Sequence, residues 1–274
     1  MCTQPGCSCA WVGPVHCSPS PMPRDHKTMG SLFFELGRRL GHMAVPALRK
    51  GKWLWTSLSG SKEQALRAEA ELGRTLAADL QRQLGPPLAC AEAAWIADIC
   101  RRLAGCVPDR QRQFQVELVR LDSPAILTLP GGYLFVDAGL LELCQRDPDQ
   151  VAFLLSHEMA HVCAGHVLER LVAQVGFDAL ARLLSHTAAS QWLRQTGLAL
   201  LRTAYSLKCE AEADLQAARL MKAAGYSVDG AFRLLEALSQ LRHSGTAVPP
   251  YFASHPPESA RVARLRAGLK NLEQ

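Results

Sequence analysis

From Ser61 onward, apolar and polar positions recur with a helical period, and glycine and proline divide the pattern into separable segments. An Ala/Leu/Glu-rich run from about Ser61 to Leu84 ends at Gly85-Pro86-Pro87, and a second run extends from about Leu88 to Gly105. Both predict helices. Between Gln113 and Val136 the period shortens to two: Phe114, Val116 and Leu118 alternate with polar neighbours, and two apolar runs, Ala125 to Leu129 and Tyr133 to Val136, flank Pro130-Gly131-Gly132. This predicts a small hairpin or meander. Helical spacing then returns. Asp147-Pro148-Asp149-Gln150 supplies an N-cap, a proline suited to the first helical position and a glutamine three residues after the cap. Leu154, Leu155, Val162, Val167, Leu168 and Leu171 continue that apolar face. A further run opens near Tyr205 and stops at Gly225, and a last one spans Pro257 to Leu272. The fold class expected is α+β, mostly helical, with a small β-sheet beside the helix that starts at Asp147.

The chain has 274 residues, of which 48% are apolar, enough for one substantial core. Charge is unevenly placed. Residues 1–52 hold seven Lys/Arg against two Asp/Glu, which accounts for the whole net charge of +5. The expected organisation is therefore a basic leader, residues 1–60, followed by a single domain, residues 61–274. Arg24, Lys27, Arg38, Arg39 and Arg49 interleave with Leu32, Phe33, Phe34 and Leu40 in that acid-poor leader. Such a segment suits mitochondrial targeting or an amphipathic surface anchor. Cys2, Cys7, Cys9 and Cys17 sit there in a Pro/Ser-rich context that fits a disordered tail, with metal binding or lipidation as alternatives. The ten cysteines show no paired zinc-finger spacing, and no secretory signal is visible, so reduced thiols are expected. No nucleic-acid-binding module is recognisable, and no nucleic-acid partner is expected.

The chemistry is concentrated in His157-Glu158-Met159-Ala160-His161. Residues four apart share a helix face, so both imidazoles can reach one metal ion while Glu158 lies beside them. The competing reading makes them ordinary histidines of a long helix. His166 follows at i+5 from His161, which should point it away from that face, and it is read as structural. A catalytic zinc keeps three protein ligands and leaves the fourth position to water, so another donor is required. Glu210 is the candidate. Asp214 shares its helix face and is placed to accept a hydrogen bond from a ligand imidazole. A solvated acidic face formed by Glu210, Glu212 and Asp214 is the alternative. Cys163 and Cys209 are read as small packing residues, with a thiolate site as the competing idea.

His157-Glu158-x-x-His161, Ser206 leading to Glu210-x-x-Ala213-Asp214, and His255-Pro256 with Arg261 together resemble the membrane-associated zinc metallopeptidases related to the CaaX prenyl proteases. Leu129 to Leu141 is most similar to their mitochondrial inner-membrane branch, whose activity overlaps that of the m-AAA protease. The resemblance runs from about Ser61 to the C-terminus. It implies a zincin-like (gluzincin) fold and one Zn2+ per chain held by His157, His161 and Glu210, with Asp214 supporting a ligand histidine. It further implies Glu158 as general base, and His255 and Arg261 near the reacting centre, positioning substrate or stabilising the oxyanion. An exposed His-Pro turn capping the last helix would look the same. Peptide or protein substrates follow, held against an edge strand by main-chain hydrogen bonds. For the strands themselves, a purely structural sheet is the alternative.

The resemblance also implies residence at the inner membrane and quality control of membrane proteins. Yet no stretch approaches the roughly eighteen uninterrupted apolar residues that a span requires. Gly176 to Leu201 is interrupted by Arg182, His186, Arg194 and Gln195 and is read as amphipathic helices. Membrane contact is expected to be peripheral, through that face or through Trp53 and Trp55. A non-catalytic zinc protein that holds unfolded clients by strand addition, and a zinc hydrolase of non-peptide substrates, remain the other function classes.

Overall fold

A computed structural model of the chain describes residues 61–175, 204–243, 255 and 259–270. The basic leader and the stretch Gly176 to Leu201 lie outside the described residues.

Helix α1 (Lys62–Leu84) starts where its sequence says it should. Ser61 Oγ accepts from the Gln64 N–H at 3.2 Å, and Gln64 Oε1 accepts from the Ser61 N–H at 3.1 Å, a reciprocal capping box. Leu72, Leu76 and Leu80 form its fully buried stripe, each contributing about 1.5–3 kcal/mol on burial. At Gly73 the helix backbone abuts the turn between two strands: an added Cβ would lie 1.8 Å from the Pro130 carbonyl oxygen. Helix α2 (Ala91–Ala104) begins three residues later than composition suggests. The reason is that Leu88 is tied to the sheet, its N–H donating to the Leu118 carbonyl at 2.8 Å.

Strands β1 (Gln115–Val119), β2 (Ile126–Leu129) and β3 (Tyr133–Asp137) form a sheet of order β1-β3-β2. The hairpin across Pro130–Gly132 is present, with β2 antiparallel to β3. A meander is not: β1 pairs with β3 in parallel. Alternation specifies which face a residue takes, not which strand lies next to it. Leu118, Ile126, Leu134 and Val136 face one core, shared with α2 and the later helices. Val119, Leu127, Leu129 and Phe135 face the other, against α1.

After the short helix α3 (Ala138–Leu143) comes the central helix α4 (Pro148–Ala164). Asp147 caps it by accepting from the Asp149 and Gln150 N–H groups, while the Gln150 side-chain amide donates to the Asp147 carboxylate and the Asp147 N–H donates to the Cys144 carbonyl, so the reciprocal half of a capping box is not made. All residues from Gln150 to Val162 are buried, the condition of a helix packed on every side. Its neighbours are α2, the sheet, α6 (Leu207–Ala223) and α7 (Asp229–His243), and α8 (Ser259–Lys270) closes over α6 and α7. Gly165 ends α4 in the left-handed conformation, φ 81°, which glycine adopts without steric cost. The chain then turns by 67° into α5 (His166–Val175). Among the described residues no single helix is long and apolar enough to cross a membrane.

Candidate metal centre

His157 and His161 project from α4 toward α6, which carries Glu210 in its first turn. Ser206 fixes that turn by accepting from the Cys209 N–H at 3.2 Å. The two imidazoles meet at their Nε2 atoms, 3.1 Å apart. Glu210 Oε1 lies 3.4 Å from His161 Nε2, and Oε2 lies 3.5 Å from His157 Nε2. His255 joins them, with Nδ1 2.9 Å from Glu210 Oε1 and 3.2 Å from His157 Nε2. The four side chains are buried and their donor atoms all lie within 4.8 Å of one another.

This donor set fits a cation. A tetrahedral zinc with bonds of about 2.0–2.1 Å has donor separations of roughly 3.3–3.4 Å, close to those observed. A neutral ring nitrogen carries either one proton or one lone pair, so His157 Nε2 cannot serve both of the ring nitrogens that face it. Glu210 Oε2 is buried without an aligned hydrogen bond. The sequence pointed to three donors and a fourth position left to water; here His255 takes a place in the group.

Electrostatics favour the state a metal needs at His161 and Glu210, whereas at His157 an arriving cation would have to displace a proton. Burial drives the His161 imidazole down to about 3, leaving it neutral. Burial also opposes the Glu210 charge, but His255, Arg261 and the two imidazoles outweigh it and hold the carboxyl well below its usual value. For His157 the same burial is overcome by Asp214 and Glu210, which raise it to about 9. Asp214 Oδ1 lies 3.0 Å from His157 Nδ1, in ion-pair range though off the line of a straight hydrogen bond.

Arg261 anchors the far side. Its Nε and Nη2 donate to the two Asp214 oxygens at 2.8 and 2.6 Å, and Nη1 donates to the His255 carbonyl at 3.2 Å. Nη1 also stands 3.3 Å from Glu210 Oε2. Burial opposes the Asp214 charge, yet this guanidinium holds its carboxyl down to about 2. Arg261 is therefore directed at the acidic partners of the histidines.

Glu158 sits beside the donor group with 2% of its surface exposed. Its Oε2 accepts from Thr128 Oγ1 at 2.6 Å, and its Oε1 lies 3.6 Å from His255 Nε2. Burial raises its carboxyl and the three surrounding histidines lower it, the net direction being downward. Strand β2, which carries Thr128, is buried along its whole length. A cavity of about 350 Å3 lies elsewhere, between α1, the Val107–Arg112 segment and the α4–α5 corner, and its walls include none of the four donors. A narrow cleft bounded by Phe153, His157, Leu234, His255 and Arg261 touches the donor group.

Three participants escaped the sequence. Thr128 reaches Glu158 only because β2 presents that face to α4. Tyr205 stacks on His161 at 3.9 Å and 21°, with the Arg170 guanidinium 4.3 Å from its ring centre. His166, read as structural, places Nδ1 3.1 Å from His161 Nδ1. The described cysteines are free thiols. Burial pushes Cys163 up to about 11 and raises Cys209, and neither belongs to the donor group.

Two histidines one turn apart on a buried helix, joined by a glutamate from a second helix, define the site type of metal-dependent peptidases. The model of peptidase family M48 matches residues 91–268, and the chain belongs to that family. It is 27% identical over 180 residues to the mitochondrial metalloendopeptidase OMA1 of Schizosaccharomyces pombe, covering 64% of this chain and 52% of that protein. Identity to the Arabidopsis thaliana protein of the same name is 30% over 160 residues, 58% of this chain and 32% of the other. Metalloprotease YcaL of Escherichia coli K12 is 31% identical over 144 residues, 50% of this chain and 55% of that protein. The chain thus spans about half or less of the length of these curated relatives.

Proposed function

We propose that the chain is a zinc-dependent metalloendopeptidase. The observation that carries this is the convergence of His157, His161 and Glu210, from two separate helices, with Glu158 beside them. His157 and His161 would hold the ion through Nε2 and Glu210 through its carboxylate, a set that leaves residual positive charge. Zinc bound there supplies Lewis acidity, which activates water and polarises a carbonyl. Glu158 serves as general base, taking the proton of the attacking water and passing it to the leaving amine. The Thr128 hydroxyl holds Glu158 Oε2 and so orients the other oxygen for that transfer. Asp214, aligned by Arg261, fixes the His157 ring from behind. His255, with Nδ1 2.9 Å from Glu210 Oε1 and Nε2 3.6 Å from Glu158 Oε1, would stand beside the reacting carbonyl and stabilise the charge that develops there.

Membership of family M48 and the names of the relatives support peptide bonds as the substrate class. The OMA1 names support a mitochondrial site of action. Association with the inner membrane, through the basic leader or the stretch Gly176 to Leu201, and work in membrane-protein quality control extend that reading. The test is metal analysis with a casein or peptide cleavage assay on the full chain. Glu158→Gln should keep stoichiometric zinc and lose turnover, whereas Glu210→Ala should lose the metal. Turnover that survives Glu158→Gln would overturn the assignment.

A further inference from the structure

The HExxH pentapeptide contains both metal-facing imidazoles but not the group that holds the second of them from behind. On an uninterrupted helix, position i+5 stands about 140° around the axis from position i, so His166 should look away from His161. It does not, because Gly165 turns left-handed and the chain bends by 67° before α5 begins. The buried His166 ring therefore folds back onto His161, Nδ1 to Nδ1 at 3.1 Å, with the ring planes at 65°.

Two ring nitrogens facing one another at that distance share one proton. His161 turns Nε2 toward the donor group, so that atom must keep its lone pair and the ring hydrogen belongs on Nδ1. His166 Nδ1 is then the acceptor, and its own hydrogen lies on Nε2, which stands 3.8 Å from the Glu212 carboxylate at the protein surface. The two metal-facing histidines are thus supported differently. His157 has a buried carboxylate behind it, Asp214, already paired to Arg261; His161 has an imidazole.

We propose that His166 is a positioning residue of the metal centre: by accepting the His161 Nδ1–H it sets the tautomer and orientation that present the His161 Nε2 lone pair to the cation. This rests on His161 being a metal ligand, as argued above. Tyr205 stacks on the His161 ring and constrains its plane. That contact leaves the tautomer unspecified, and the hydrogen bond to His166 supplies it.

Asparagine and glutamine at position 166 separate the bond from the bulk. An Asn amide falls where Nδ1 was and still reaches His161; a Gln amide falls nearer the position of Nε2 and does not. On the full chain, zinc affinity is measured by competition with a chromophoric chelator, and cobalt(II) spectra report the coordination. Expected is a 10–100-fold loss of zinc affinity and an altered cobalt band in His166→Gln, with His166→Asn within roughly threefold of wild type and spectrally unchanged. Thermal unfolding of the metal-free proteins should not distinguish the two variants. Equal zinc affinity in both variants and wild type would overturn the proposal. So would a loss in His166→Gln that merely follows a lower melting temperature of the metal-free form. A wild-type chain that binds no zinc would instead remove His161 as a ligand, and this inference with it.

Discussion

Thr128 Oγ1 donates a 2.6 Å hydrogen bond to Glu158 Oε2 and so ties strand β2 to the central helix at its general-base candidate. Both partners are buried, with 2% of each exposed, so water does not substitute for the bond. A hydroxyl on a β-branched side chain has few rotamers, and the contact orients the carboxylate as well as stabilising its charge.

Thr128→Val keeps the shape and removes the donor. Hydrogen bonds to charged groups are worth about 1.5–3 kcal/mol. Most of that bond should appear in catalysis as a fall in kcat of roughly tenfold or more, with bound zinc and KM nearly unchanged. Steady-state kinetics alongside metal analysis checks it; an unaltered kcat would show that Glu158 needs no such orientation.

Arg261→Met should be among the most destabilising single changes in the protein. It leaves Asp214, and with it part of the charge on Glu210, buried without the guanidinium that now offsets them. Removing one partner of a buried pair costs about 3–5 kcal/mol. Urea unfolding measures the difference, and a shift below 1 kcal/mol would mean that the pair behaves as if solvated.

Zinc should stabilise the folded chain by mass action. At a free concentration one hundred times Kd the gain is about 2.7 kcal/mol, visible as a rise in Tm that a chelator reverses. Glu210→Ala should abolish most of this rise without lowering the Tm of the chelator-treated protein by a comparable amount.

Asp147 offers a pH test away from the metal ligands. Burial opposes its charge, but the Arg233 guanidinium, the Gln150 side chain and the Asp149 and Gln150 N–H groups prevail and lower its pKa. A carboxyl lowered in the folded state stabilises above its unfolded pKa of about 3.9, and that contribution is lost as pH falls through the lower folded value. Asp147→Ala should therefore cost about 1 kcal/mol near neutrality, and the gap between variant and wild type should close in acid. Denaturant titrations at several pH values would reveal a constant gap if the cap acts without its charge.

Much of the site was legible because its signals are local. Ser61 and Asp147 mark helix starts by the hydrogen bonds their side chains make within four residues, and a spacing of four fixes one face for His157 and His161. Glu210 and Asp214 share that spacing too, but only α6 packing on α4 distinguishes a ligand and its support from a solvated acidic face. His255 and Arg261 required a resemblance, since nothing near them in sequence says that they meet α4. The sheet was half legible: the Pro130–Gly132 turn specifies the hairpin, whereas the parallel pairing of β1 with β3 depends on a crossover that alternation does not encode. His166 stays out of the donor group, as its spacing suggests, but its contact with His161 was not legible. The i+5 rule assumes a continuous helix, and Gly165 ends it one residue too early for the rule to hold.

That left-handed glycine makes the working unit longer than the pentapeptide. Inserting a single alanine between His161 and Gly165 would leave His157-Glu158-Met159-Ala160-His161 intact, letter for letter, yet swing the following ring about 100° around the axis and out of reach. Ten consecutive residues, from His157 to His166, share one fate.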